Sequence, residues 1–163
     1  MAARRPPPPL PDALIEAYAT SNRMNRYLIE NLPEKAWRAD PPDGKGRTIA
    51  AIAAHIHNVR HMWLTASAPA GLRIPPKLDR LKVTRRQALD ALAKSEVAMT
   101  ALVEPAVRGD GRIRNFPRGV VAFLAYVMAH EAHHRGQMTM LARQCGHGLA
   151  MKAMFGMWEW GKV

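Results

Sequence analysis

A long run of apolar residues at helical spacing, from about Val120 to Cys145, constrains the fold most strongly. The run contains no proline, and its apolar residues recur every three or four positions, which predicts an α-helix. His130 and His134 lie within it. Because residues four apart lie about 40° from each other around a helix, these two imidazoles share one face. Two imidazoles placed in this way can bind one divalent cation.

Three further stretches show the same helical spacing, and residues typical of helix ends flank them. Asp12, Thr48 and Thr84 are the predicted N-caps of the first, second and third helices. Pro117 suits the first turn of the fourth helix, and Gly146 suits the position just after its end. No stretch alternates as a strand would. Four long helices with two long connections predict an all-α protein, a four-helix bundle.

The length of 163 residues fits a single domain. Residues 1–11 are rich in proline and are predicted to be disordered or extended. Residues 12–163 are predicted to form one bundle. Its C-terminal tail from Gly148 is rich in Met and Trp, so we expect the tail to pack on the bundle.

Composition bounds the compartment and the function classes. The single cysteine, Cys145, excludes an internal disulfide, and the N-terminus lacks the apolar segment of a secretory signal. No apolar run approaches the length that spans a membrane. We therefore expect a cytoplasmic protein. The formal net charge of +11 favours contact with anions.

Histidines are the residues most suited to chemistry. Six of the seven fall in two short segments, on the second and fourth predicted helices. His55 lies at the edge of the apolar stripe of the second helix, so it can join His130 and His134 in a three-histidine metal site that leaves one coordination position open. His57 and His61 are rotated away from that stripe. We interpret them as surface residues or as support for the ligands.

His130-Glu131-Ala132-His133-His134 also satisfies the H-E-x-x-H pattern of zinc proteases. In that interpretation Glu131 is the general base and Glu159 can be a third ligand. The mixed sheet that accompanies this motif is missing from the predicted elements. Glu131 can instead pair with Arg135, four residues later, on the solvent side of the helix.

Two segments also carry a family resemblance. The first is Ile49-Ala-Ala-Ile-Ala-Ala-His55-Ile with Trp63-Leu64. The second is Ala129-His130-Glu-Ala-His133-His134-Arg135-Gly136-Gln137. They resemble the second-helix histidine and the H-x-x-x-H-Arg-Gly-Gln motif of the DinB/YfiT-like superfamily of metal-dependent bacterial proteins. The helix order and length are similar over about residues 12–147.

The resemblance implies a bundle with up-down-down-up topology. It also implies a site for zinc, nickel or another divalent metal, made by His55, His130 and His134. It also implies a homodimer and a small-molecule substrate. Some members are transferases that use low-molecular-weight thiols, others resemble maleylpyruvate isomerase, and many have no assigned reaction. Around such a site Asn58, Tyr126 and Gln137 are candidates to orient a ligand or a bound water.

The leading prediction is therefore a metal-dependent enzyme, a thiol transferase or a hydrolase, that activates a water or a low-molecular-weight thiol. A rival is a non-catalytic binding module whose basic loops form a patch for nucleic acid or an anionic ligand. Base stacking has little support, because only Phe116 lies among those basic residues, so nucleic acid is not the expected partner. A basic rim over a metal pocket would attract acidic substrates or a glutathione-like thiol. The basic residues are Arg73, Lys77, Arg80, Lys82, Arg85 and Arg86 in one connection, and Arg108, Arg112, Arg114 and Arg118 in the other.

Overall fold

The computed structural model describes residues 6–162, in which six helices and no strand occur. None of these helices is both long enough and apolar enough to cross a membrane. The predicted all-α fold is confirmed. The helices are α1 (Leu10–Asn31), α2 (Glu34–Trp37), α3 (Ile49–Ser67), α4 (Arg85–Arg108), α5 (Gly119–Gln144) and α6 (Met151–Gly156).

The N-terminal end of α1 differs from the prediction. Residues 1–5 lie outside the described range, 6–9 are not helical, and the helix begins at Leu10. Asp12 as N-cap is therefore wrong: Pro9 occupies that position, and Asp12 lies in the first turn. Pro11 explains the earlier start, since its fixed φ suits a first turn. The Asp12 carboxylate is still favourable there, close to the positive end of the helix dipole.

The other predicted helix ends are mostly confirmed. The Thr48 hydroxyl accepts from the backbone N–H of Ala51 at 3.2 Å, and Thr84 forms a capping box with Gln87. Gly146 follows α5 with φ +75°. The backbone N–H of Gly146 bonds to Arg143 O, and that of His147 bonds to Ala142 O, which is the Schellman pattern. The prediction that Pro117 lies in the first turn of this helix is wrong, because Arg118 is the N-cap and α5 begins at Gly119.

The four long helices surround a core in two clusters. α1 contacts α4 and α5, and α3 contacts the same two helices. One cluster joins the C-terminal part of α1 and the N-terminal part of α3 to the C-terminal part of α5, and includes Leu28, Ile52 and Met138. The other cluster is centred on Phe123 and Leu64. The up-down-down-up topology stays a prediction.

The C-terminal segment lies on the bundle and is itself only partly covered. Ala153 and Met157 are buried, and Met157 belongs to the first core cluster. The larger side chains of the segment remain largely exposed. They are Met151, Met154, Phe155, Trp158 and Trp160.

Candidate metal centre

Three histidines from two helices converge at one point of the bundle. His55 comes from the N-terminal half of α3, which Thr48 caps, and His130 and His134 come from consecutive turns of α5. His55 and His130 are partly buried and His134 is buried. Each offers one ring nitrogen, and the three atoms lie within 4.8 Å of one another. Among residues 6–162, the structure therefore brings together the three histidines selected from the sequence.

The distances between these nitrogens fit a small cation. Nε2 of His130 lies 3.1 Å from Nε2 of His134 and 3.4 Å from Nε2 of His55. Two ligands of a tetrahedral zinc ion with bonds of about 2.0–2.1 Å lie about 3.3 Å apart. The separations of the three Nε2 atoms are therefore close to those of imidazole ligands on one metal ion. The cluster can therefore hold a metal ion.

Gln137 sets which nitrogen of His134 is available. Its Oε1 lies 2.7 Å from His134 Nδ1. Because the amide oxygen only accepts, Nδ1 must donate, and the lone pair of a neutral ring is then on Nε2. That nitrogen is the one in the cluster. An outer hydrogen bond of this type fixes the ring orientation of metal-binding histidines.

Tyr126 and Asn58, the other two candidates for orienting roles, occupy different places. The Tyr126 ring stacks on His130 with the ring centres 6.2 Å apart. Asn58 bonds to the backbone of Leu78 instead, donating to its O at 3.0 Å and accepting from its N at 2.8 Å. Asn58 therefore holds the 68–83 connection against α3.

The surroundings of the cluster lower the pKa of all three histidines. The pKa of His55 is lowered to about 4, mainly by burial and then by the charge of Arg47 and by the other two rings. Burial is also the main reason that the pKa values of His130 and His134 are lowered. The rings are therefore neutral at pH 7, and a neutral imidazole is the form that binds metal.

A groove with a volume of about 790 Å³ lies beside Gln137. The loop between α2 and α3 forms one wall and contributes Lys45 and Arg47, and the C-terminal half of α5 forms the other. Arg47 lies close enough to lower the pKa of all three histidines of the cluster. Two cations and one carboxylate, Asp43, therefore line this groove, and Arg47 adds positive charge near the cluster.

Glu131 is not placed as a protease base or on the solvent side. Only 1 % of its side chain is exposed, and its carboxylate pairs with Arg60 of α3. The interpretation of a solvent-side pair with Arg135 is wrong, because position 131 continues the buried stripe of α5 that includes Leu124 and Val127. Glu159 is exposed and is not one of the grouped ligands.

A buried ionic network, which was not predicted from the sequence, surrounds this pair. Arg60 also donates to Asn22 of α1 and Ser95 of α4, so its guanidinium ties α3 to three other helices. A signal was present in the spacing. Arg60 lies between Ile56 and Leu64 at steps of four, which is a buried position of α3. An arginine and a glutamate on buried stripes of two helices predict a buried pair.

His57 and His61 were predicted to be surface or supporting residues, and for His57 a surface position is wrong. His57 is completely buried. Its Nε2 lies 2.8 Å from Pro76 O, and His61 Nδ1 lies 2.8 Å from Pro75 O. Because carbonyl oxygens only accept, both rings donate. The pair therefore fastens the 68–83 connection to α3.

Arg85 and Arg108, which belong to different basic runs, lie at different ends of the bundle. Arg85 pairs with Glu34, beyond the C-terminal end of α1, whereas Arg108 pairs with Asp12 in its first turn. α1 has 22 residues, which corresponds to about 33 Å. Arg114 donates to Ala68 O at the second end. The end of the first run at Arg85 is therefore far from the second run.

Comparison with known proteins places the chain in a family. The model of the DinB family matches residues 11–157. No curated protein and no solved structure matches the chain significantly.

Proposed function

The chain belongs to the DinB family, and we propose that His55, His130 and His134 together bind one divalent metal ion, zinc or nickel, as part of an enzyme site. The observation that carries this proposal is the approach of three Nε2 atoms to 3.1 and 3.4 Å. When bound, the ion would supply Lewis acidity, lowering the pKa of a water or a thiol at an open coordination position. The reaction class is a thiol transfer or a hydrolysis of a small molecule.

The protein's own residues would prepare this site in three ways. Gln137 keeps the Nε2 lone pair of His134 directed into the cluster. Tyr126 packs on the ring of His130 and limits its rotation. The buried pair of Arg60 and Glu131 holds α3 against α5, and so keeps His55 near the other two rings. A site on rigid helices holds its ligands more accurately than one on loops.

Arg47 and Arg80 support an acidic substrate. Both lie close enough to affect the pKa of His55 by their positive charge, and Arg47 also lines the adjoining groove with Lys45. A groove bordered by cations attracts anions. The substrate we propose is therefore a small anion, such as a thiol that carries a carboxylate.

The test is metal content, measured by mass spectrometry on tag-free protein purified without chelator. We expect about one equivalent of a divalent metal in the parent and loss of it in His55→Ala. The matched control is His133→Ala, because His133 is exposed and next to His134 but outside the grouped ligands. No metal in the parent after reconstitution with zinc or nickel would contradict the proposal.

A further inference from the structure

Arg135 is the cation that the buried network leaves without a carboxylate of its own. Both oxygens of Glu131 accept from Arg60, Oε1 at 2.7 Å and Oε2 at 2.8 Å, and Oε2 also accepts from Asn25. Glu96 has its electrostatic partners among Arg60, Arg26 and Arg23. Within residues 6–162, Arg135 forms no ion pair within 4.0 Å, because the Glu131 carboxylate is paired with Arg60.

The hydrogen bonds of Arg135 leave part of its guanidinium free. Nη1 donates to three neutral acceptors on α1: Ser21 O, Ser21 Oγ and Asn25 Oδ1, the last at 2.7 Å. Nε and Nη2 have no acceptor in the described part of the chain. Burial lowers the pKa of Arg135, against the opposing effect of the Glu131 charge. A half-buried cation of this kind is stabilised when an anion approaches it.

A groove adjoins this guanidinium. It has a volume of about 690 Å³ and lies between α1 and α5, with the C-terminal segment as its third wall. Four methionines and two tryptophans contribute to its lining, among them Met24, Met128 and Trp158, and Arg135 is the one charged residue among 6–162 that lines it. The volume is in the range of small-molecule sites, which combine apolar walls with a few placed polar groups.

Gly136 leaves the helix backbone bare along this groove. A Cβ at this position would have no atom within 4 Å, so no close contact of the protein requires a glycine there. Glycine inside a helix costs about 1 kcal/mol relative to alanine. The space beside Gly136 is consistent with a ligand that packs against the backbone.

We propose that this groove binds a small organic monocarboxylate with an apolar body, its carboxylate on the free N–H groups of Arg135 and its body against the methionine and tryptophan side chains. Charge complementarity selects this occupant, because the groove has one cation and no carboxylate among walls that are mostly apolar over residues 6–162. Arginine binds carboxylates in a bidentate geometry. Ala132 lines the groove two residues from both His130 and His134, about 200° around the helix. The site is thus separate from the histidine cluster.

Isothermal titration of the full chain with octanoate and its neutral isostere octanamide tests this proposal. We expect octanoate to bind the parent at least about tenfold more tightly than octanamide. Arg135→Gln should remove that preference and leave octanamide affinity unchanged. Arg86→Gln removes the same charge from an exposed position of α4, and should leave both affinities as they are.

A second variant covers the case in which Arg135→Gln does not fold. Ala132 is exposed and lines the groove, so Ala132→Trp should fill it and abolish octanoate binding at an unchanged circular dichroism spectrum. Equal binding of the acid and the amide to the parent, or binding of neither, would overturn the proposal. A parent dimer that Ala132→Trp converts to a monomer, without octanoate binding, would also overturn it and assign the groove to a second copy. None of these outcomes depends on a metal ion.

Discussion

His130 and His134 are each followed directly along α5 by a charged residue, Glu131 and Arg135, whose surroundings differ from those of the histidines. The two histidines contact His55, and within residues 6–162 neither of their Nε2 atoms forms an ion pair with a carboxylate. Glu131 and Arg135 meet α1 and α3 in a network in which Glu131 has three donors. One step along a helix rotates a side chain by about 100°. α5 therefore presents a ligand set on one side and a structural ionic network on the other.

This difference explains why Glu131 of the H-E-x-x-H pattern is not placed as the general base of a zinc protease. In a zinc protease the glutamate would act beside the metal. In this chain the carboxylate of Glu131 forms a buried ion pair with Arg60, so it does not lie beside the histidines as a general base would. The histidines and the glutamate of this pattern therefore lie in two different environments. Four predictions test whether the two sides of α5 are independent.

The largest expected effect is on the network side. Glu131→Gln should lower the free energy of unfolding by about 3–5 kcal/mol, because it leaves the Arg60 guanidinium buried without its carboxylate. Urea unfolding measures the change. Asp90→Asn, which breaks the exposed pair with Lys94, is the control and should cost about 0.5 kcal/mol or less. Equal losses of unfolding free energy in the two variants would contradict a stabilising role of the buried network.

The second prediction concerns the histidine side. Zinc or nickel at about 100 times its dissociation constant should stabilise the parent by about 2.7 kcal/mol. For a domain of this size that is a rise in Tm of about 5–10 °C. Differential scanning calorimetry with and without chelator measures it. The rise should be absent in His130→Ala and present in His133→Ala; a rise in both variants would place the metal elsewhere.

The third prediction separates Gln137 from the network. Gln137→Ala should weaken metal affinity about 10- to 100-fold, because it removes the acceptor that orients His134. Competition with a chromogenic chelator measures the affinity. Gln144→Ala removes an exposed amide further along α5 and should change nothing. An unchanged stability of the metal-free Gln137→Ala protein would show that the effect is on the site alone.

The smallest expected effect is on pH dependence. The pKa of His55 is lowered from 6.5 to about 4 in the folded protein, so the unfolded chain binds the proton first. Stability of the metal-free protein is therefore complete above pH 6.5 and falls as the pH drops from 6.5 towards 4. In His55→Asn the fall between pH 7 and 5 should be shallower. Parallel pH profiles of the two proteins would contradict the assigned cause.

Much of the fold was predictable because it depends on local spacing. The caps at Thr48 and Thr84 and the glycine after α5 follow from side chains within a few residues of the helix ends. Asp12 was misplaced because proline and aspartate both suit a first turn, and their order decides which one begins it. His57 was misplaced because its partner, Pro76, lies in a connection with no periodicity.

The sequence by itself determined the four long helices, the shared face of His130 and His134 and the family of the chain, because each of these rests on spacing along one segment. The tertiary structure decided which groups meet between segments. It joined His55 to the other two histidines, gave both oxygens of Glu131 to Arg60 and left Arg135 beside an apolar groove. The physical reason is that charges and lone pairs are satisfied by neighbours in space, and those neighbours lie up to 114 residues away along the chain.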